Sequence, residues 1–376
     1  MSCTTPLPDG GASDRLRQAD SIGPESIQAM FQQGLDCQRH GRKTEAEEIY
    51  LQILAVQPRH APALHLLGSL ALQAGAPQRA CEFIGQSIEA NPMFAVAHLD
   101  LANAHRLAGR PESALPSYDR AIELKRDLVE AHFNKAVVLQ ELQRLDEALR
   151  SYERALRLQP TFAVALYNRA VLLAALHRAE ESLAAYDRYL KLFPSHVEAL
   201  SNRGALLLEL KRPEEALMSF DRALKLAPQL SKALNNRGNA LQILHRFEEA
   251  VASFDRAIAA EPRYFEALRN RGAALRKLGL AESALASVEA ALQVRPGEPA
   301  TMLDRAEILV DLRRHAEAIA CLTELLELTP EADYAAGLRL HLQGLTCDWQ
   351  GQQQRARALI AKKSSGHQSQ SGIGPI

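Results

Sequence analysis

The chain has 376 residues, of which 47% are hydrophobic but only 5% aromatic. So much aliphatic material with so few rings predicts closely packed helices rich in alanine and leucine. The formal net charge is -1, from 44 basic and 45 acidic residues, which excludes a strong global attraction to nucleic acid or to an anionic membrane surface.

The N-terminal segment and the cysteines carry no sign of export. Residues 1–26 are rich in proline, glycine and serine, and we expect them to be disordered. They contain no apolar stretch typical of a secretory signal, and no uncharged run approaches the ~18 residues of a membrane span. The five cysteines form no Cys-x-x-Cys pair, so we expect reduced thiols, a cytoplasmic protein and no membrane partner.

Residues 27–332 repeat every 34 residues. Prolines recur at intervals of 34 or 68, at Pro58, Pro92, Pro160, Pro194, Pro228, Pro262, Pro296 and Pro330. With this proline as position 32, the segment divides into nine contiguous units that begin at Ile27. Because proline lacks an amide donor and disfavours helix at the preceding residue, we expect a helix to end just before it in each unit.

Three other positions indicate that each unit is a pair of packed helices. Position 8 is always glycine or alanine, and position 20 is alanine in every unit except the fifth, which has Ser182. Position 24 is large and apolar, as in Tyr118, Tyr152 and Phe220. We therefore expect the two helices to cross at positions 8 and 20, with position 24 beside the crossing. Glycines near position 15, such as Gly41 and Gly75, suit the left-handed cap of the turn between the helices.

This pattern resembles the tetratricopeptide (TPR) repeat, in nine units in strict phase. The resemblance implies an all-α, right-handed superhelical solenoid of nine helical hairpins, followed by C-terminal helices. In the family, the first helix of each hairpin lines a concave groove that holds other polypeptides. The function expected from the resemblance is a protein-protein interaction scaffold that binds an extended segment of a protein or peptide partner.

Position 6 would face that groove and carries the candidate binding site. It is asparagine in five consecutive units, namely Asn134, Asn168, Asn202, Asn236 and Asn270. Since a carboxamide both donates and accepts, this asparagine ladder can hold the backbone of an extended peptide whatever its sequence. The alternative is structural, with each asparagine capping a helix or bridging neighbouring helices.

Three further sets of groove residues lead to expectations. Phe133 and Tyr167 would make the earlier part of the groove apolar, and Asn235, Asn239 and Gln242 would make its middle polar. The later part would be basic and would favour an acidic end of the bound segment, because it carries Arg269, Arg276 and Lys277.

Arginine also recurs at position 7, from Arg169 to Arg305, in phase with an acidic residue at position 25. Matched charges of this kind predict ion pairs that align helices. The alternative, a basic strip for an acidic ligand, is disfavoured because the carboxylates repeat in phase with the arginines.

Residues 333–362 do not fit the repeat and are expected to form a helical junction, with helices at about 334–345 and 352–361 around Cys347-Asp348-Trp349. This junction resembles bacterial O-linked N-acetylglucosamine transferase and SPINDLY-like proteins, in which a TPR arm leads through Cys-Asp-Trp into catalytic domains. The resemblance implies the alternative function of a non-catalytic acceptor-recognition arm of a truncated glycosyltransferase. Residues 363–376 read as a disordered tail.

No motif for catalysis is present. The chain has no Gly-rich phosphate loop, no His-Glu-x-x-His and no Gly-x-Ser-x-Gly. His98, His105 and His132 lie at turn-related spacing but lack the set of converging ligands that a metal needs. We therefore expect no catalytic residue, no metal and no cofactor, and an oligomeric state that the sequence does not indicate.

Overall fold

The computed structural model describes residues 24–346, which form nineteen α-helices joined by short turns, without a strand in that range. In chain order the helices are α1 (Pro24–Arg39), α2 (Lys43–Val56), α3 (Ala61–Gln73), α4 (Pro77–Ala90), α5 (Ala95–Leu107), α6 (Pro111–Leu124), α7 (Val129–Glu141), α8 (Leu145–Leu158), α9 (Ala163–Ala175), α10 (Ala179–Leu192), α11 (Val197–Glu209), α12 (Pro213–Leu226), α13 (Ser231–Ile243), α14 (Phe247–Ala260), α15 (Phe265–Lys277), α16 (Ala281–Val294), α17 (Pro299–Asp311), α18 (His315–Leu328) and α19 (Asp333–Leu345). The predicted all-α solenoid of helical hairpins is confirmed. Since α1 begins at Pro24, residues 24–26 are helical, although they were expected to belong to the disordered segment.

The chain divides into two compact units, residues 1–185 and residues 186–376, with the boundary inside α10. Within each unit, consecutive helices pack against one another as hairpins. In the second unit one apolar cluster runs from Leu275 through Val288 and Leu322 to Leu342. The core of the stack is therefore continuous from α15 to α19.

The small residues at position 8 make room for the large residue at position 24. A Cβ atom added to Gly238 would lie 2.4 Å from Cε1 of Phe254, and one added to Gly204 would lie 2.6 Å from Cε1 of Phe220. Both phenylalanines are fully buried. The hydroxyl of Ser182 at position 20 donates to the carbonyl of Ala170 at position 8, 2.7 Å away. Positions 8 and 20 therefore meet as predicted. The nearest neighbour of the glycine at position 8 is the side chain at position 24.

The turn inside each hairpin places position 15 in the left-handed region, with positive φ. Four units have glycine there, as predicted, at Gly41, Gly75, Gly109 and Gly279. The other five have Gln143, His177, Lys211, His245 and Arg313, with φ between 56° and 59°. The turn geometry is thus the same in all nine units although the residue is not. The recurring prolines follow the second helices, since α2 ends at Val56, two residues before Pro58.

Candidate functional site

The first helices of successive hairpins lie side by side and form a face within each unit. In the first unit α3 contacts α5 and α5 contacts α7, and in the second unit α11 contacts α13, α13 contacts α15 and α15 contacts α17. We call the surface made by these helices the first-helix face. The five ladder asparagines lie on these helices and on α9, and all five are half-buried.

In the first unit, tyrosines from the hairpin core connect to the ladder. The Asn134 Nδ2 donates to Asn103 Oδ1 of the preceding repeat at 3.0 Å, and the Tyr118 hydroxyl donates to the same oxygen at 2.7 Å. The Asn168 Nδ2 lies 3.4 Å from the Tyr152 hydroxyl, a long hydrogen bond. Burial raises the pKa of both Tyr118 and Tyr152 to about 12, so both hydroxyls stay protonated and donate.

In the second unit, side-chain amides bond to the ladder residues Asn236 and Asn270. The Asn270 Nδ2 donates to Asn239 Oδ1 at 2.9 Å and to Asn235 Oδ1 at 3.1 Å, which joins α15 to α13. Asn235 is only 4% exposed, and its own amide donates to Asn236 Oδ1 at 3.4 Å. The bridge between neighbouring first helices, which was the structural alternative, is therefore present at Asn270 and also at Asn134.

This bridging leaves part of the amides of Asn134, Asn168 and Asn270 for a ligand. A carboxamide has two N–H donors and two acceptor lone pairs on its oxygen. Asn134 uses one donor on Asn103, and Asn168 makes only the long contact to Tyr152. Peptide binding by the ladder therefore stays a prediction, and Asn168 and Asn236 are the rungs with the longest described hydrogen bonds, both 3.4 Å.

Carboxylates that accept hydrogen bonds from the preceding repeat occupy position 6 in the flanking repeats. His65 Nε2 donates to Asp100 Oδ2 at 2.7 Å in the first unit, and Arg269 Nε donates to Asp304 Oδ2 at 2.8 Å in the second. In both cases position 5 of one repeat bonds to position 6 of the next, as Asn235 does to Asn270. Position 6 is thus bonded to position 5 of the preceding repeat at Asp100, Asn270 and Asp304, whether it carries an amide or a carboxylate.

The expected basic part of the groove is wrong for two of its three residues. Arg269 is paired with Asp304, and Arg276 is paired with Glu307 and, at 2.6 Å, with Asp311. These carboxylates come from α17, one repeat further along. They offset the positive charge of both arginines, so this part of the surface is not basic. The preference for an acidic ligand end loses its support.

The polar middle of the groove and its apolar part also differ from the expectation in detail. Asn235 is buried and serves the network, so it does not offer its amide to a ligand. Phe133 is half-buried and packs on Tyr152 and Phe162, with ring centroids 5.8 and 5.0 Å apart. Part of its ring therefore belongs to the packing between the helices.

The arginines at position 7 form the predicted ion pairs. Each bonds to the acidic residue at position 25 of the preceding repeat, as in Arg203–Asp187 and Arg237–Asp221, both 2.6 Å. The same two guanidinium groups donate to a serine of their own repeat, Ser219 or Ser253, also at 2.6 Å. Each arginine thus joins three helices, which confirms the structural interpretation.

Tetratricopeptide repeat models match residues 31–92, 82–128, 129–162, 167–231, 235–299 and 275–341. These matches cover most of the chain and coincide with the helical hairpins. The chain belongs to the tetratricopeptide repeat family. As a TPR protein it is a protein-interaction scaffold.

Several solved structures are similar to this TPR protein, whereas no curated protein sequence matches it. YrrB, described as a TPR protein with an unusual peptide-binding site, is 26% identical over 50% of this chain and 97% of its own, with a TM-score of 0.47. A TPR protein of Parabacteroides merdae is 21% identical over 66% of this chain and 98% of its own (TM-score 0.49). The type IV pilus biogenesis factor PilW is 22% identical over 55% and 95% (TM-score 0.49).

The helix expected at residues 334–345 is present as α19, and it keeps the TPR register that the sequence analysis did not extend to it. Ala335, Arg339 and Leu342 stand at positions 3, 7 and 10 of a tenth first helix, and Ala335 and Leu342 are buried in the core. The arginine at position 7 was the signal in the sequence that could have revealed it. Cys347-Asp348-Trp349, the helix expected at residues 352–361 and the tail at 363–376 lie outside the described residues.

The histidines and cysteines of the TPR helices have structural surroundings. His98 and His132 each donate through Nε2 to a turn carbonyl, that of Pro92 at 3.0 Å and that of Arg126 at 3.2 Å. Within residues 24–346 no three His, Cys, Asp or Glu side chains converge on a possible metal position, and Cys37, Cys81 and Cys321 are free thiols. None of the helices described is both long and apolar enough to cross a membrane.

Proposed function

We propose that this TPR protein binds an extended polypeptide along the first-helix face and that the position-6 asparagines hold the backbone of the bound chain. The observation that carries the proposal is the half-buried ladder, in which hydrogen bonds to the preceding repeat orient the amides of Asn134, Asn168 and Asn270 and leave part of each amide for a ligand. Such amides suit main-chain groups, so the proposal predicts broad tolerance of the ligand's side chains.

The energetic contribution of the ladder is moderate. A net gain of about 1 kcal/mol for each amide that bonds the ligand corresponds to about fivefold in affinity. Three rungs together then contribute roughly 100-fold. Side-chain contacts elsewhere on the face must supply the remaining affinity and the specificity.

The test begins with random 12-residue peptides displayed on phage and selected on the full chain. The Kd of a selected peptide is then measured by calorimetry for the wild-type chain and for the variant with Asn168, Asn202 and Asn236 all changed to alanine. We expect roughly 100-fold weaker binding by a chain that is still folded, with a thermal melt somewhat below wild type because the buried Asn235 amide loses its acceptor on Asn236. Asn91→Ala, which changes an exposed asparagine in a turn, is the matched control and should bind normally. Unchanged binding by the triple variant, with or without a lower melt, contradicts the ladder.

A second candidate function is that of the acceptor-recognition arm of a protein glycosyltransferase. The sequence observation that favours it is Cys347-Asp348-Trp349, which follows α19 directly and resembles the junction of the O-linked N-acetylglucosamine transferase and SPINDLY-like family. This function requires catalytic domains that are encoded outside this sequence. A glycosyltransferase reading frame immediately downstream of this gene would support it, and an unrelated gene there would oppose it.

A further inference from the structure

An apolar pocket opens at the C-terminal end of the second unit, between α17, the end of α18 and the start of α19. Its volume is about 320 Å³. The residues that line it include Ala300, Leu303, Leu325, Ala332, Tyr334 and Ala335. Leu303 and Tyr334 stand at positions 5 and 2 of successive first helices, so the pocket belongs to the first-helix face.

The side chain at position 34, which packs on position 5 in the first, second and fourth repeats, is small at this pocket. Position 34 is His60, Phe94, Leu128, Phe162, His196, Leu230, Tyr264 and Glu298 in the first eight repeats and Ala332 in the ninth. In the first unit the position-34 ring packs on the position-5 ring of the same repeat. The centroids of Phe162 and Phe133 are 5.0 Å apart, and those of Phe94 and His65 are 4.9 Å apart.

The ninth repeat keeps one partner of this pair and lacks the other. Leu303 at position 5 is present, but the methyl group of Ala332 is too short to fill the space above it. A cavity of roughly 150 Å³ already accepts a benzene molecule, so a pocket of about 320 Å³ has room for an aromatic ring or a leucine side chain. Phe162 on Phe133 shows the packing that such a group would reproduce.

The surroundings of the pocket are acidic. Between Gly297 and Thr346 the chain has nine acidic and four basic residues, and three of the acidic ones, Asp304, Glu307 and Asp311, are paired with Arg269 and Arg276. Glu331 lines the pocket and forms no ion pair with any residue in 24–346. Exposed Tyr334 donates its hydroxyl to Glu307 Oε1 at 3.1 Å at the rim. A ligand residue beside the pocket therefore meets negative charge.

We propose that this pocket receives one aromatic or leucine side chain of the bound polypeptide, from a residue flanked by lysine or arginine. The proposal rests on the proposed function, in which the bound chain runs along the first-helix face. The pocket adds a binding site for a side chain one repeat beyond Asn270. The ladder would hold the backbone of any sequence, and the pocket would select among sequences.

The test uses a defined probe on the full chain with methyl-labelled leucine and alanine. The probe is the pentapeptide acetyl-Gly-Lys-Phe-Lys-Gly-amide, followed by methyl resonances in NMR titrations. We expect shifts concentrated at Leu303, Leu325 and Ala332. The peptide with alanine in place of phenylalanine should bind at least tenfold more weakly, because it buries almost no apolar surface. The peptide with both lysines changed to glutamate should bind several-fold more weakly.

Ala332→Phe closes the pocket with the side chain that repeat four carries at this position. We expect it to abolish the phenylalanine-dependent part of probe binding while the melting temperature stays at or above the wild-type value. Ala332→Leu is the second closing variant, in case the ring does not fit. Leu230→Phe changes the same position of repeat six and is the matched control, which should bind the probe as wild type does.

Three results would overturn the proposal. One is equal binding of the phenylalanine and alanine peptides, and another is unchanged probe binding by both folded closing variants. The third concerns the chain's own C-terminal residues, which are basic and include Leu359 and Ile360. If changing both to serine in the full chain tightens probe binding several-fold, those residues compete for the pocket and the assignment to a partner is wrong. The two proposals can fail separately, because the ladder variant leaves the pocket intact. Binding of the selected peptide to the ladder variant tests the proposed function. Binding of the probe to Ala332→Phe tests the pocket.

Discussion

The two units support the same asparagine ladder with different chemistry. In repeats three and four of the first unit, position 24 is tyrosine and position 8 is alanine, and the hydroxyls of Tyr118 and Tyr152 reach the ladder through Asn103 or directly. In the second unit, Phe220 and Phe254 lie over Gly204 and Gly238 and have no hydroxyl to offer. There the buried amide of Asn235 takes over the positioning of Asn270.

This difference teaches that a repeated residue does not have a repeated environment. Asn168 has one long contact at 3.4 Å, whereas Asn270 has two amide bonds at 2.9 and 3.1 Å. Removing the first should affect ligand binding more than stability, and removing the second should affect both. The predictions that follow begin with the change expected to have the largest effect on stability.

Gly238→Ala should cause the largest loss, because the new Cβ atom would lie 2.4 Å from the buried Phe254 ring. Overpacking of this kind costs about 2 kcal/mol. The matched change in the first unit is Ala136→Gly, which adds flexibility to α7 and removes one buried methyl group, and it should cost about 1 to 2 kcal/mol. Urea unfolding followed by circular dichroism measures both. A Gly238→Ala midpoint equal to wild type would show that the glycine–phenylalanine packing is not tight.

Asn235→Ala should destabilise the second unit by about 1 to 2 kcal/mol, because a buried amide that holds Asn270 and Asn236 is lost. The side-chain amide signals of Asn270 in NMR should broaden or shift as its bond across the repeats disappears. Asn239 remains as a partner at 2.9 Å, which limits the damage. Sharp, unshifted Asn270 signals would mean that Asn235 does not position the ladder.

Tyr152→Phe replaces the tyrosine at position 24 with the phenylalanine that repeats six and seven carry there. It should lower the free energy of unfolding by about 1 kcal/mol. It removes the hydroxyl that donates to Gln140 at 3.2 Å and accepts from Asn168. The calorimetric Kd of the selected peptide should rise about two- to threefold through the loosened Asn168. Tyr118→Phe is the parallel variant, in which Asn134 keeps its own bond to Asn103 and binding should change less. Equal effects of the two variants on Kd would contradict the direct role assigned to the Tyr152 hydroxyl.

The smallest effect on stability is expected from the exposed ion pairs at the start of the second helices. Both units contain such pairs. The Arg212 guanidinium donates to Glu215 and lowers the pKa of that carboxyl below its usual 4.5, and Arg178 does the same to Glu181. A lowered folded-state pKa stabilises the protein above pH ~4.5, and this stabilisation is lost as the pH falls through the folded-state value. The melting temperature of Glu215→Gln should be slightly below wild type at pH 7 and should converge with it below about pH 4. A difference that persists at pH 3 would point to a cause other than this pair.

The repeat register and the hairpin packing could be predicted from the sequence, because prolines and small residues act locally at fixed positions. The ion pairs of Arg203 and Arg237 could be predicted for the same reason, since both charges recur in phase. The partners of Asn168 and Asn270 could not, because they depend on which residues stand at positions 5, 9 and 24 of the preceding repeat. The pairing of Arg276 with Asp311 was missed for the same reason, as its partner lies one repeat further along.

The pocket of the ninth repeat lies between these cases. Ala332 is visible in the sequence as the one small residue at position 34, and this observation alone could have directed attention there. Its meaning depends on the packing of position 34 on position 5, which the structure supplies through Phe162 and Phe133. A missing side chain becomes a pocket only where its neighbours do not close the gap.

The most direct test of the account is calorimetry with the selected peptide on Asn168→Ala and Asn270→Ala, with the thermal melt of each variant measured beside it. We predict that Asn168→Ala weakens binding about fivefold at an unchanged melting temperature. Asn270→Ala should weaken binding and also lower the melt, because it breaks the amide bonds between α13 and α15. Wild-type peptide affinity in both variants would contradict the claim that the asparagine ladder holds the partner.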